Sequence, residues 1–247
     1  MDRIKIIRSK PAPAVFNMAF DESIFNGFLK DGIPVLRIYS WQRPSFTFGF
    51  SQDPQKELNL SLCRKDNIQV AKRMTGGGVL FHDNEITYSV ILSKEELGEE
   101  KNIFVSFRRI CSFLTDFYKL LGLNPVFALE QDDFKDKSSP HELCSASREK
   151  YDILINNRKI GGNAQKRRRQ AVFQHGSIPL SINWQLMQKY ILDFPANLPQ
   201  EVTALKDELK VLPSKTYLED MLIRAFINSF EVKKVEEVEL NEACLVK

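Results

Sequence analysis

Hydrophobic positions in this chain recur at two different periods, and the alternation between them predicts its elements. Ile103, Phe107, Ile110, Leu114, Phe117 and Leu121 repeat at helical spacing, interleaved with Arg108, Arg109 and Lys119 and closed by Gly122, so this stretch is expected to be a helix. Phe20, Ile24, Phe25, Phe28 and Leu29 share one helical face that stops at Asp31-Gly32 before Pro34, which predicts a helix suited to packing on a sheet. Asp53 and Pro54 fit an N-cap and first helical residue, with Leu58 and Leu62 one turn apart behind them. Thr216 and Glu219 form a capping box ahead of Leu218, Met221, Leu222, Ala225 and Phe226, the last full helix.

The period of two marks the strands. Ile86, Tyr88, Val90 and Leu92 alternate with smaller or polar residues, predicting a half-buried strand directly after His82-Asp83. Val35 to Trp41 and Ser45 to Phe50 are strands broken by Arg43-Pro44, with a hairpin between them as the simplest pairing. Ile153 and Ile155 lead into Asn156-Asn157, a dipeptide that tolerates left-handed backbone, so Arg158 to Ala164 is expected to return antiparallel. A second turn at Lys166 to Gln170 precedes Ala171 to Leu180, and the polar stretch Gln131 to Glu142 is expected to be a mobile loop. Strands interspersed with helices, several of them hairpin-linked, predict a mixed α/β (α+β) fold with packed helices on a mostly antiparallel mixed sheet. With no repeat or linker, residues 1–247 are expected to form a single domain.

Composition changes this picture little. The chain is 43% apolar and 11% aromatic, enough for a sizeable core, and its net charge of +3 is too weak to imply nucleic-acid binding. No uninterrupted apolar stretch follows the charged N-terminus, so no signal peptide, membrane span or membrane partner is expected. Cys63, Cys111, Cys144 and Cys244 are scattered and form no C-x-x-C pair, which disfavours zinc and a disulfide framework and fits a reducing cytoplasm. The basic run Lys166-Arg167-Arg168-Arg169 reads first as a solvated turn; beside the hairpin it is also a candidate docking patch for an acidic protein.

Two segments carry chemistry. Lys72 to Asp83 reads K-R-M-T-G-G-G-V-L-F-H-D, and three bare glycines let backbone N–H groups approach a ligand, with Arg73 able to hold an anion or carbonyl. Cys144 to Gly176 brings a thiol, the lysine Lys159 and a Q-H-G sequence into one segment, a combination suited to acyl transfer because a cation beside a thiol favours the thiolate.

The first of these resembles the R-R-x-[ST]-G-G-G-x-x-x-H-D signature of the biotinyl/lipoyl protein ligase and transferase family, matching at Arg73, Thr75, Gly76, Gly77, Gly78, His82 and Asp83. N-M-A-F-D-E at Asn17–Glu22, L-R-I-Y-S-W at Leu36–Trp41, R-K-I-G-G-N-A-Q at Arg158–Gln165 and Q-H-G-S-I at Gln174–Ile178 resemble the same family in order. The resemblance implies a catalytic domain that holds an eight-carbon acyl or lipoyl chain in a tunnel between the glycine segment and the lysine strand. It assigns Lys159 as the active-site lysine, where the residue alone would read as a solvated hairpin lysine. It assigns substrate contacts to the glycine signature and to Gly161, Gly162, Asn163, Ala164, His175 and Gly176.

Within the family, L-C-S-A-S-R-E-K-Y-D resembles the cysteine-dependent octanoyltransferases of the LipM type and places Cys144 on their nucleophile, with Glu149 where their pattern has its last serine. Ligases carry an Asn-Asp pair for magnesium and nucleotide where Tyr151-Asp152 stands here, and with 17 residues after Phe230 no C-terminal accessory domain of the ligase kind is expected. The implied function is transfer of octanoyl from acyl carrier protein, through a Cys144 thioester, to a lysine of a lipoyl domain or glycine-cleavage H protein, without cofactor or metal. An ATP- and magnesium-dependent lipoate-protein ligase is the alternative, and a noncatalytic lipoyl- or nucleic-acid-binding relative the third reading.

Overall fold

The computed structural model describes residues 1–98, 103–131 and 149–239. Cys144, Cys244 and residues 132–142 of the expected mobile loop lie outside the described residues. The strands are β1 (Arg3–Arg8), β2 (Val35–Tyr39), β3 (Ser45–Phe48), β4 (Gln69–Lys72), β5 (Leu80–His82), β6 (Glu85–Ser93), β7 (Val126–Phe127), β8 (Ile153–Ile155), β9 (Arg158–Ile160), β10 (Gly162–Arg167), β11 (Ala171–Pro179), β12 (Val202–Thr203) and β13 (Lys234–Glu239). They form a six-stranded sheet in the order β10-β11-β6-β2-β1-β13, a four-stranded sheet β12-β9-β8-β7 and a three-stranded sheet β4-β3-β5. In the large sheet the pairs from β10 to β2 are antiparallel, and β2-β1 and β1-β13 are parallel, as a mixed fold requires.

Helices cover both faces of the large sheet. Ile4, Ile6, Leu36, Ile38, Ile86, Tyr88, Val90 and Leu92 point to one face, where Ile110, Leu114 and Phe117 of helix Ile103–Leu120 and Leu222 and Phe226 of helix Lys215–Ser229 complete the main core. The other face carries Ile7, Val35, Ile91 and Phe173, against Phe25 and Phe28 of helix Ala14–Asp31. This helix starts six residues before its apolar stripe and ends at Gly32, whose φ of 66° lets its N–H reach the Phe28 carbonyl.

Several expectations need correction. Val35–Tyr39 and Ser45–Phe48 do not form a hairpin: β2 lies between β1 and β6, while β3 pairs with β4 and β5 in a different sheet. Local pattern marks both as strands, but the choice of partner rests on burial with residues far along the chain. β6 is not half-buried, because helix Ala14–Asp31 covers the polar face that looked solvated. The helix at Pro54 breaks after one turn, and Asn59 caps a second helix, Leu60–Lys65. Ser214, not Thr216, caps the last helix by accepting from the Tyr217 N–H. Leu29, counted in the apolar stripe, is 40% exposed. Among the described residues no helix is long and apolar enough to cross a membrane.

The β8–β9 hairpin turns at Asn156 and Asn157 as expected, with φ of 49° and 60°. Beyond it the chain leaves the four-stranded sheet at β9 and enters the six-stranded sheet at β10, and Gly161, at φ 73°, makes the switch. A Cβ there would drive into the Ser177 carbonyl oxygen. Gly161→Ala is therefore expected to lower stability by about 2–3 kcal/mol through left-handed strain plus steric overlap, measured as a reduced denaturant midpoint at unchanged m-value.

Candidate active site

The site grows from the face of the large sheet beneath helix Ala14–Asp31. Strand alternation puts Arg37, Ser89 and His175 in one row across three adjacent strands, with Arg37 opposite Ser89 and Ser89 opposite His175. Asp21 descends on that row from the helix. Its carboxylate accepts from Arg37 Nη1 at 2.7 Å, Ser89 Oγ at 2.8 Å and Tyr39 Oη at 3.0 Å, and stands 3.8 Å from His175 Nδ1. Asn17, one helical turn earlier, accepts from Arg37 Nη2 at 2.7 Å. Burial alone would raise the Asp21 pKa, but the Arg37 guanidinium, then His175, outweighs it and holds the acid below its ordinary value.

His175 continues the chain of contacts to the glycine signature, sharing a 2.8 Å hydrogen bond between Nε2 and Thr75 Oγ1. Arg73 grips the same turn from below: Nη2 donates to the carbonyls of Gly76 and Gly78 at 3.2 and 2.7 Å, and Nη1 donates to Thr47 Oγ1 at 2.9 Å. A side chain at Gly49 would strike the Gly77 carbonyl, so the turn packs directly on the end of β3. Arg73 thus holds the glycine turn in place, in addition to bordering the cavity behind it.

A second buried carboxylate, Glu85, gathers the far side. It accepts from Trp41 Nε1 at 3.0 Å, Thr87 Oγ1 at 2.5 Å and Ser177 Oγ at 2.6 Å, and lies 2.8 Å from His82 Nδ1. His82 Nε2 meets Thr47 Oγ1 at 2.6 Å, and its ring stacks on Trp41 with centroids 4.0 Å apart. Both ring nitrogens are therefore engaged in a buried network, which makes His82 a structural member of the wall. Neighbouring Asp83 faces the adjacent cavity, and burial, followed by repulsion from Glu85, pushes its pKa up.

Lys159 is 3% exposed, which rules out the solvated hairpin lysine. Its ammonium sits 2.8 Å from Asp152 Oδ2, and Asp152 also accepts from the Glu149 N–H at 2.8 Å. Tyr151 turns the other way and stacks on Phe107 at 4.5 Å. Lys159 opens onto a cavity walled by Leu80, Phe81, Gly161, Gly162, Trp184 and Met187. An inner cavity bounded by Met18, Trp41, Arg73, His82, Asn163 and His175 adjoins it, the two sharing Leu80 and Gly162 as common walls. The two adjoining cavities mark the course of the expected passage, with Lys159 on the wall of the first and Arg73 of the glycine segment on the wall of the second.

The fold places Arg73, His82, Asp83, Lys159, Gly161, Gly162, Asn163, Ala164, His175 and Gly176 on the walls of the two cavities, whereas Thr75 and the turn of Gly76, Gly77 and Gly78 are tied to those walls through His175 and Arg73 rather than lining them. Asn163 contributes through structure as well: its Oδ1 accepts from Tyr88 Oη at 2.6 Å across Gly176, where any Cβ would collide with both groups. The expected turn begins later than Lys166, because Lys166 and Arg167 end β10, where strand alternation sends Lys166 toward Phe50 and Arg167 to the opposite side, donating to Ser106 Oγ. Cys63 and Cys111 are buried, and burial pushes the Cys111 thiol up to about 12, so neither is an activated thiol.

Three carboxylates that organise the site, Asp21, Glu85 and Asp152, were not expected to be functional. Their signals are visible in retrospect. Asn17 and Asp21 fall four residues apart in line with Phe25 and Phe28, and Glu85, Thr87 and Ser89 put a polar face on a strand whose other face is wholly apolar.

A buried lysine on the wall of one apolar cavity, adjoined by a second that Arg73 of the glycine segment borders, defines a catalytic domain able to handle an acyl chain. Residues 13–231 match the model of the lipoyl protein ligase A/B catalytic domain, and the chain belongs to that family. It is 32% identical over 234 residues to "Octanoyltransferase LipM" of Bacillus cereus, covering 91% of this chain and 84% of that protein. The LipM octanoyltransferase of Clostridioides difficile is 29% identical, covering 96% and 90% of the two chains. Two solved structures share the fold: a lipoate-protein ligase A bound with ATP, at TM-score 0.77 and 24% identity over 98% of this chain and 90% of that one, and a bipartite lipoate protein ligase from Thermoplasma acidophilum, at TM-score 0.76 and 22% identity over 98% and 89%.

Burial lowers the His175 pKa from its ordinary 6.5, and the hydrogen bond and charge of Asp21 recover only part of the shift. Between that depressed value and 6.5 the unfolded chain binds a proton that the folded chain refuses, so stability falls as pH drops through this window. Asp21, with a lowered pKa, loses its contribution only at more acidic pH, below about 3.9. The drop in Tm between pH 7.5 and pH 5 is therefore expected to be smaller in His175→Gln than in the wild-type protein, as read by thermal melts across that range.

Proposed function

We propose that this chain is an octanoyltransferase of protein lipoylation. The observation that carries the reading is Lys159, buried, paired with Asp152 and open to an apolar passage, in a chain whose relatives are named octanoyltransferases over most of their length. An acyl carbonyl seated at the lysine leaves its hydrocarbon tail to run through Gly162 into the inner cavity. An ammonium in that position stabilises developing negative charge on the carbonyl oxygen more strongly than water can.

Cys144 supplies the nucleophile in this reading. Its thiolate attacks the thioester carbonyl of octanoyl-acyl carrier protein, the carbonyl–sulfur bond to the carrier breaks, and the carrier thiol leaves with a proton. The amine of an acceptor lysine, on a lipoyl domain or glycine-cleavage H protein, then attacks the enzyme thioester; an amide forms and the Cys144 thiol is restored. A thiol near its ordinary pKa of about 8.5 is only a few per cent ionised at neutral pH, so a cation beside it raises the reactive fraction. The thioester already carries the activation, and the reaction needs neither nucleotide nor metal. Both exchanges belong in the cytoplasm, where acyl carrier protein works and thiols stay reduced.

One reaction series with an apo lipoyl domain tests the assignment. Octanoyl-acyl carrier protein without ATP is expected to give octanoylated acceptor; modification only with free octanoate or lipoate plus ATP would make the protein a ligase. Cys144→Ala is expected to abolish the octanoyl adduct seen on the enzyme by intact mass, and full turnover by that variant would reject the cysteine. Lys159→Met is expected to lower kcat about 10²- to 10³-fold, the range for removing one electrostatic contact to an oxyanion.

A further inference from the structure

The inner cavity ends against a partition. Met18, on helix Ala14–Asp31 and 9% exposed, borders the inner cavity on one side. On its other side it borders an open surface groove of about 440 Å³ that runs past Phe50, Lys72 and Lys166. Arg73 is the other side chain common to both spaces, and it is pinned by Thr47 and by the carbonyls of Gly76 and Gly78. Met18 has no such clamp. It packs with the apolar Ala14, Tyr39, Trp41 and Ala71, and an unbranched thioether adapts its shape more readily than a clamped guanidinium.

We propose that Met18 sets the length of the acyl chain this protein accepts. The inference rests on the reading that the passage from Lys159 holds the acyl group. With the carbonyl at Lys159 and the tail running past Gly162, the terminal methyl meets Met18, and a longer chain has to displace it. A methylene that finds room in an apolar pocket and one that does not differ about 10- to 200-fold in kcat/KM. The competing path for the tail is toward Trp184 and Met187, on the Lys159 side. Those residues lie away from the groove, and a chain lodged there would be insensitive to Met18.

The test uses the full-length protein, an apo lipoyl domain, and hexanoyl-, octanoyl-, decanoyl- and dodecanoyl-acyl carrier protein, with acylated acceptor quantified by intact mass. Met18→Ala is expected to raise the dodecanoyl-to-octanoyl ratio of kcat/KM at least about tenfold, as the cavity opens into the groove. Met18→Phe is expected to shift preference the opposite way, toward hexanoyl, and decides the matter if the alanine variant does not fold. Met187→Ala is expected to leave the ratio as in wild type. A wild-type ratio in folded Met18 variants, or a shift produced by Met187→Ala instead, would overturn the proposal. Calorimetric binding of free octanoate, decanoate and dodecanoate separates the two levels. If no carrier is a substrate but chain-length preference in binding still moves with Met18, the transferase reading fails and the gauge stands; if the wild-type protein binds no fatty acid, the gauge fails as well.

Discussion

The ion pair between Asp21 and Arg37 is the interaction on which the rest of the site depends. Arg37 is fully buried and Asp21 is 1% exposed, so neither charge is solvated by water. Two charges in that environment are tolerated only when paired and fully hydrogen-bonded, and here Asn17, Ser9, Tyr39 and Ser89 complete the shell. Such a pair adds little net stability compared with apolar packing, and breaking it costs several kcal/mol because it strands the other charge. Its value here is positional: it fixes one helix in one register over three strands. The same carboxylate stands beside His175, His175 shares a hydrogen bond with Thr75, and Thr75 begins the glycine turn.

Two buried polar networks flank the passage and divide the work. Asp21 ties the helix to the sheet and, through His175 and Thr75, to the glycine turn; Glu85 ties Trp41, His82 and Ser177 into the opposite wall. Side chains committed this way hold the walls in place, and His82 of the signature has both ring nitrogens engaged in that framework. Lys159 is placed differently. Asp152 holds its ammonium, and the residue lines the outer cavity, so the lysine is oriented by a partner at the edge of the space a ligand would fill.

Local pattern was a reliable guide wherever one element determines its own shape. The helix at Ile103–Leu120, the Gly32 cap and the Asn156-Asn157 turn follow from spacing and backbone preference alone. It misled where a neighbour decides the outcome. The polar face of β6 looked solvent-facing because nothing local reveals that a helix lies over it, and Lys166 and Arg167 looked like part of one turn because strand alternation separates them only once β10 is paired.

The ordered signatures in the amino-acid sequence by themselves determined the family and most of the helical and strand segments, since each depends on local chemistry or on a pattern read along the chain. Tertiary structure decided that Asp21, Glu85 and Asp152 are the organising carboxylates, that Lys159 is buried rather than solvated, and that Met18 stands between cavity and groove. These facts concern which residues meet across tens or hundreds of positions. Such meetings are selected by the burial and hydrogen bonding of the whole fold, and no local preference of a single segment encodes them.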